Sequence, residues 1–355
     1  MKYYLLFLIL IFFILFLTFQ HRSKSEAAIF AKALQPGWNL GNTLDSHGLA
    51  NPASPRDTET YWGNPYTTRE MIHAIKEKGF HTIRIPVTWE GHMDADNVVN
   101  PAWMNRVQEV VDYAIDEDLY VIINAHHDNW YQPDEAHYQD GIAKMSALWS
   151  QIAEHFSKYE DYLLFESMNE PRLTGTSEEW TGGTAAAQKI VNEYNQVFLN
   201  TIRSSDAVNN KTRYLLIPSY CASTDRSAME ALDIPEDSHV IVSLHMYDPY
   251  EFALKPDGTS EWNSDDPHNT HEIDAIFKDI HRIFTKKGVA VMLTEFGAMD
   301  KDNETARADW TAYMMQKAKK ENITCIWWDD SIFDRSTLTW HYPSITGQLC
   351  PSSDK

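Results

Sequence analysis

The sequence predicts an α/β fold, a closed (β/α)8 barrel of the TIM type, on three observations. Eight short apolar runs alternate with helix-like stretches, most of the runs are apolar at nearly every position, and no linker, low-complexity tract or repeat divides the chain. Strands covered on both faces by crossover helices read as continuous apolar runs, whereas half-exposed strands alternate. Eight such units in 355 residues suit a single barrel. An open doubly wound sheet is the competing arrangement, but no Gly-x-Gly-x-x-Gly or phosphate loop follows any run.

The first run is "GWNLGN" (37–42). Thr67 to Lys78 then places Met71, Ile72 and Ile75 on one helical stripe and stops at Gly79, before "HTIRIPV" (81–87). A helix over Pro101 to Glu117 precedes "YVIINAH" (120–126), one over Ile142 to Lys158 precedes "YLLFESM" (162–168), and one over Ala185 to Ser204 precedes "RYLLIPS" (213–219). The remaining runs are "VIVSLHMY" (240–247), "VAVMLTEF" (289–296) and "ITCIWWD" (323–329), separated by helices over Thr270 to Lys286 and Glu304 to Lys320. The chain ends at Lys355, which leaves little room for a full eighth helix.

Residues 1–27 stand apart. Met1 and Lys2 precede an apolar run from Tyr3 to Leu17, followed by Arg22 and Lys24. The pattern reads as a secretory signal, with small residues for cleavage at Ala27, Ala28 and Ala31, or as an uncleaved membrane anchor over residues 3–19. Either way the expected location is extracellular, with residues 28–355 as one catalytic domain. A net charge of -21 argues against a nucleic-acid partner, because phosphate binding needs a basic footprint. Cys221, Cys325 and Cys350 are too few for a disulfide scaffold. One pair could form outside the cell, and Cys325 reads as an inert core thiol.

A barrel places its site at the C-terminal ends of its strands. Those ends here carry Arg84, then Asn124, His126, His127 and Asp128, then Asn169 and Glu170, then His245 and Tyr247, then Glu295, and finally Trp327, Trp328 and Asp329. Singly, each has a plain structural explanation, and Trp327 reads as packing. Polar groups gathered at one end of six strands are a constellation. A metal is not expected: adjacent strand residues face opposite ways, so His126 and His127 could not easily share an ion. No Cys-x-x-Cys occurs, and no His-x-His lies in the first strand.

Two carboxylates on different strands suit cleavage of a glycosidic bond, which needs one proton-bearing carboxyl and one ionised carboxylate. Arg84 near Glu295 would keep it ionised, and a less polar setting beside Glu170 would keep that one protonated. Trp62, Trp130, Trp180 and Trp262, in segments after strands, offer flat faces for sugar rings.

Over nearly the whole chain after the first residues, "GWNLGNTLD", "GFHTIRIPVTW", "INAHHD", "FESMNEP", "SLHMYDPYEF", "LTEFGA" and "WWDD" resemble the family 5 glycoside hydrolases, retaining (β/α)8 barrels. "WGNP" and "IPVTW" are most similar to the subfamily 4 endoglucanases. The resemblance implies that Glu170 is the acid/base and Glu295 the nucleophile. It implies that Asn169 bonds the sugar 2-hydroxyl, that Arg84 and Tyr247 orient Glu295, and that His245 adjusts Glu170. His126 and His127 would bind hydroxyls over a Trp328 floor, with Asn39 a further candidate for the same subsite and Trp130 for a sugar face. The implied activity is that of a secreted, monomeric endo-β-1,4-glucanase acting on β-glucan without metal or cofactor. Xyloglucan, mixed-linkage glucan, mannan or xylan are alternative substrates, and a non-catalytic carbohydrate-binding barrel is the alternative of another class. The family pattern Asp-Asn-Gly after the second Trp is here Asp329, Asp330, Ser331, followed by a short loop, which bears on the loop 8 subsite contacts and on closure of the barrel.

Overall fold

The computed structural model of the protein describes residues 26–329 and 331–351. The apolar run from Tyr3 to Leu17 and Asp330 lie outside the described residues. Eight parallel strands close into a barrel in sequence order. They are β1 (Gly37–Asn39), β2 (Thr82–Ile85), β3 (Tyr120–Asn124), β4 (Leu163–Glu166), β5 (Leu215–Ser223), β6 (Val240–Met246), β7 (Ala290–Phe296) and β8 (Thr324–Trp328). β1 pairs with both β2 and β8, so closure is complete despite the unusual loop after β8.

The helices fall where the apolar stripes place them. Arg69–Lys78 buries Met71, Ile72 and Ile75, starts where Thr68 accepts the Met71 N–H, and stops at Gly79 in the left-handed conformation (φ 110°). The third expected helix begins earlier, at Glu135, because the Asp134 side chain caps it by accepting the His137 N–H. The last helix among the described residues is Pro343–Leu349.

Alternation along the strands divides the apolar residues into two cores. Val121, Ile123, Leu163, Phe165, Val242 and Leu244 pack outward in the large cluster shared with the helices. Ile122, Leu164, Leu216, Ile241, Met292 and Ile326 form a second, inner cluster. Glu26–Phe30 and the 3-10 turn Ala31–Leu34 cap that inner cluster with Ala27 and Leu34. The Ala27 N–H donates to Ser238 O at 2.9 Å, the Thr82 hydroxyl donates to Leu34 O at 2.6 Å, and the Thr324 hydroxyl donates to Ala31 O. Phe30 lies flat on Tyr214, ring centroids 3.8 Å apart. The segment thus closes the N-terminal end of the barrel, and the expected boundary after residue 27 falls within it.

Further up six of the strands, the interior becomes polar. Asn39, Arg84, Asn124, Glu166, Ser243 and Thr294 are all fully buried there. All three cysteines are free thiols. Among the described residues no helix is long and apolar enough to cross a membrane.

Candidate active site

Arg84 is the hub of the polar layer. Its Nε donates to Glu166 Oε2 at 2.7 Å, Nη1 to Glu295 Oε1 at 2.7 Å and to Asn39 Oδ1 at 2.9 Å, and Nη2 to Asn169 Oδ1 at 2.8 Å. Burial opposes its charge, but the charges of Glu166 and Glu295 outweigh burial and hold its pKa above the ordinary value. Asn39 gives its amide hydrogens to carbonyls of Thr294 and Ile326. Asn39, expected to touch sugar, is therefore a fully buried support for Arg84.

Glu295 receives a second donor, the Tyr247 hydroxyl, at 3.0 Å. A register shift between β6 and β7 lets Thr294 and Glu295, adjacent in sequence, both serve the interior. Bulges of this kind re-aim side chains near active sites. Thr294 Oγ1 meets Ser243 Oγ at 2.5 Å, while Glu295 reaches Arg84.

Glu170 lies just past the end of β4. Its Oε1 meets His245 Nδ1 at 2.7 Å, and that same nitrogen is 3.5 Å from Glu295 Oε2. Its Oε2 accepts from Arg172 Nη1 at 3.3 Å. Burial raises the Glu170 pKa, but the hydrogen bond and charge of His245, with Arg172 behind them, bring it below the ordinary value. The less polar setting expected for Glu170 is thus corrected: two cationic side chains flank it. Burial likewise lowers His245, yet the Glu295 charge and the Glu170 hydrogen bond prevail and raise it. The two directions favour the imidazole over the carboxyl as the place of a shared proton. One ligand atom each of Glu170, His245 and Glu295 lies within 4.8 Å of the others.

Asn169 gives its carbonyl oxygen to Arg84, which leaves its Nδ2 hydrogens without a partner among the described residues. His126 is fixed in the same manner. Asn124 accepts the Val87 N–H on Oδ1 and donates through Nδ2 to Glu166 at 3.0 Å and to His126 Nδ1 at 3.1 Å. With Nδ1 accepting, the imidazole hydrogen sits on Nε2. Burial, with His127 and Arg84 nearby, holds the His126 pKa far down, so the ring is neutral.

The expectation that His126 and His127 face apart is overturned. β3 ends at Asn124, strand alternation ends with it, and the two rings meet edge to face at 4.4 Å. They also converge with Asp45 within 4.8 Å. Asp45 accepts the Asn42 and Thr43 N–H groups at 3.0 and 2.7 Å, and Nδ1 of His126 is already an acceptor for Asn124. That hydrogen-bond pattern puts a hydrogen where His126 would need a lone pair for an ion.

Trp328 lies nearly parallel to His126, centroids 5.8 Å apart. Gly41 permits this placement, since a Cβ there would fall 2.6 Å from the indole. Arg335 ties the loop down, donating through Nε to Asp329 at 2.8 Å and through Nη2 to Gly41 O at 2.9 Å. Trp130 is 3% exposed, and its indole N–H donates to the buried Asp128, so it is core and not a sugar face. Trp262 is buried too, whereas Trp62 and Trp180 are exposed.

Sequence reasoning missed Glu166, Ser243 and Arg172. Glu166 interrupts an apolar strand, and that interruption was the available signal. Ser243 stands two before His245, the spacing of one strand face, whereas Arg172 lies past the end of β4, where no such spacing marks it.

A closed parallel barrel with two close carboxyl groups at the strand C-termini is an arrangement of the carboxylate glycosidases. The model of the cellulase family, glycosyl hydrolase family 5, matches residues 46–334. The chain belongs to that family. Endoglucanase A of Clostridium longisporum is 41% identical over 346 residues, covering 93% of this chain; the chain spans 66% of that relative's length. A solved subfamily 4 broad-specificity endoglucanase from Ruminococcus champanellensis, with bound cellotriose, matches at TM-score 0.88 and 39% identity, covering 93% of this chain and 99% of that one. A family 5 xyloglucan-specific endo-β-1,4-glucanase from a metagenomic library, in complex with cellotriose, also matches at 0.88, with 33% identity over 93% of this chain and all of that one.

Glu166 supplies the second anion for a guanidinium that has no access to water. Glu166→Gln should therefore lower the unfolding free energy by about 3 kcal/mol in denaturant titration, the usual cost of breaking a buried pair. A loss under about 1 kcal/mol would mean that Glu295 alone satisfies Arg84.

Proposed function

We propose that the protein is a retaining endo-β-1,4-glucanase acting on β-glucan chains by double displacement. The observation that carries the reading is the closeness of Glu170 and Glu295, one carboxylate oxygen of each lying within 4.8 Å of the other, each with its own partners. Inverting enzymes separate their carboxyl groups by about 6.5–9.5 Å to admit a water, and retaining enzymes by about 5–5.5 Å.

In the first step Glu170 gives a proton to the departing glycosidic oxygen while Glu295 attacks the anomeric carbon, forming a glycosyl ester. In the second, Glu170 takes a proton from water as the water displaces Glu295. Arg84 and Tyr247 hold the attacking carboxylate in place. The proton reaches Glu170 from His245 along their 2.7 Å hydrogen bond, without movement of either chain segment. Asn169 Nδ2 supplies a donor for the 2-hydroxyl, His126 Nε2–H a donor for a neighbouring hydroxyl, and Trp328 a stacking surface beneath the ring. The route uses no metal or cofactor. The names of the relatives, and cellotriose in two related structures, support a β-1,4-glucan backbone. Xyloglucan is the second reading, favoured by the xyloglucan-specific neighbour. The apolar N-terminal run supports export.

Initial rates on mixed-linkage β-glucan, xyloglucan, carboxymethylcellulose, mannan and xylan test this. The expected order puts the glucan backbones first, with Glu295→Gln lowering turnover by at least about 10^4-fold while the protein stays folded. Fastest cleavage of mannan or xylan would overturn the substrate, and glucan binding with no release of reducing ends would favour the non-catalytic barrel.

The raised His245 pKa also fixes a pH dependence. The pair keeps its proton below that pKa and loses it as pH rises through it, so the alkaline limb of kcat/KM should lie above 6.5, the ordinary imidazole value. A limb below 6.5 would show that His245 does not store the proton.

A further inference from the structure

β4 ends at Glu166, so regular strand pairing does not reach the turn that carries Glu170. The neighbouring strands hold that turn instead, one from each side. On the β3 side the Asn169 N–H donates to Ala125 O at 2.8 Å. On the β5 side Pro171 O accepts the Cys221 N–H at 2.8 Å, and the Leu173 N–H donates to the Tyr220 hydroxyl at 2.9 Å. A general acid acts only within hydrogen-bond reach of the oxygen it protonates, so the backbone on both sides of Glu170 governs its reach.

β5 meets this turn by leaving its register. It advances from Pro218 to Ser223 while β6 advances only from Ser243 to His245. The extra residues form a bulge, a feature that re-aims groups beside active sites. Within it Cys221 and Ala222 have φ of 56° and 47°. Left-handed backbone is unfavourable for a residue with a Cβ, and two such residues in succession persist only where their surroundings hold them. Ser219 Oγ closes the bulge on Ser223 O at 2.9 Å, and Asn195 Nδ2 donates to Pro218 O at 3.0 Å. What the strained turn provides is the Cys221 donor facing Pro171.

Tyr220 is 1% exposed, and its hydroxyl is the junction. Besides accepting from Leu173, it donates to the Glu178 and Glu179 carbonyls at 3.1 and 3.2 Å. Gly183 (φ 75°) leaves room for the ring, since a Cβ there would fall 2.6 Å from a ring carbon. All three bonds are to backbone, and none is to a group that the reaction uses. An effect of this hydroxyl on proton transfer must therefore pass through the chain next to Glu170.

We propose that the β5 bulge fixes where Glu170 offers its proton, with Tyr220 as the positioning residue. This rests on the glucanase reading and adds to it a residue outside the cleft. A misplacement of about 1 Å at a reacting group costs on the order of 100-fold in rate. Loss of one anchor, with the ring and the Cys221 bond retained, costs less than that and falls on the step that needs a proton.

The test compares two aryl β-cellobiosides in Tyr220→Phe, which keeps the ring and removes only the hydroxyl. Phenol departs with a proton from Glu170, whereas 2,4-dinitrophenolate departs without one. Tyr220→Phe should lower kcat/KM about tenfold for the phenyl cellobioside and leave that for the dinitrophenyl cellobioside within about twofold. Should that variant not fold, Ser219→Ala, which removes only the bond closing the bulge, should lower the same ratio by at least about threefold. Equal losses on both substrates, or a ratio unchanged within about twofold, would overturn the assignment. Wild-type protein inactive on both substrates would instead overturn the glucanase reading beneath it.

Discussion

A guanidinium with no contact with water organises the molecule's chemistry. Burying an arginine is costly unless its charge is paired and its hydrogens are met. Arg84 meets both conditions through Glu166, Glu295, Asn39 and Asn169. Three strands, β1, β4 and β7, and the turn after β4 supply the partners to a cation on β2, so the barrel must close for the cation to be satisfied. Once it is, each partner has one orientation. Glu295 is turned to the guanidinium on one side and to Tyr247 on the other. Asn169 has spent its carbonyl oxygen and keeps only donors for a ligand.

The polar layer separates two regions of the barrel with different tasks. Below it, Ile122, Leu164, Leu216, Ile241, Met292 and Ile326 fill the interior with apolar side chains, sealed by Ala27 and Leu34. Above it, the residues differ in how they hold protons. His126 is kept neutral, so it can donate to a hydroxyl without placing another charge beside Arg84. His245 stays charged longer than a free imidazole because two carboxylates face it. Glu170 is suited to both of its proposed duties: a proton is one hydrogen bond away, and Arg172 favours its ionised form when a base is needed. The two carboxyl groups share a neighbour in His245, yet Arg84 touches only Glu295 and Arg172 only Glu170.

Much of this was legible in the sequence, for a physical reason. A parallel barrel must bury its strands and place chemistry at their ends, so apolar runs ending in Glu170, His245, Glu295 and Trp328 marked both fold and site. The polar layer was harder to see. Arg84, Asn124, Glu166, Ser243 and Thr294 alternate with outward apolar residues, and a run read as continuously apolar hides that alternation. The pairing of His126 with His127 was misread because strand geometry was extended past Asn124, where the strand has ended. The setting of Glu170 was misread because its burial was foreseen while the cations facing it were not. Trp130 and Trp180 both follow strands, and only the fold shows that one is core and the other faces water.

The central claim is that Glu295, held by Arg84 and Tyr247, forms a covalent bond to the sugar. A 2-deoxy-2-fluoro-β-cellobioside with a reactive leaving group slows the oxocarbenium-like transition states and lets such an ester accumulate. Peptide mapping by mass spectrometry then identifies the labelled side chain. The account predicts one added fluorocellobiosyl group, on the peptide containing Glu295 and bonded to that residue. A label on Glu170 or on any other residue, or an active enzyme that takes up no label and releases an inverted product, would contradict it.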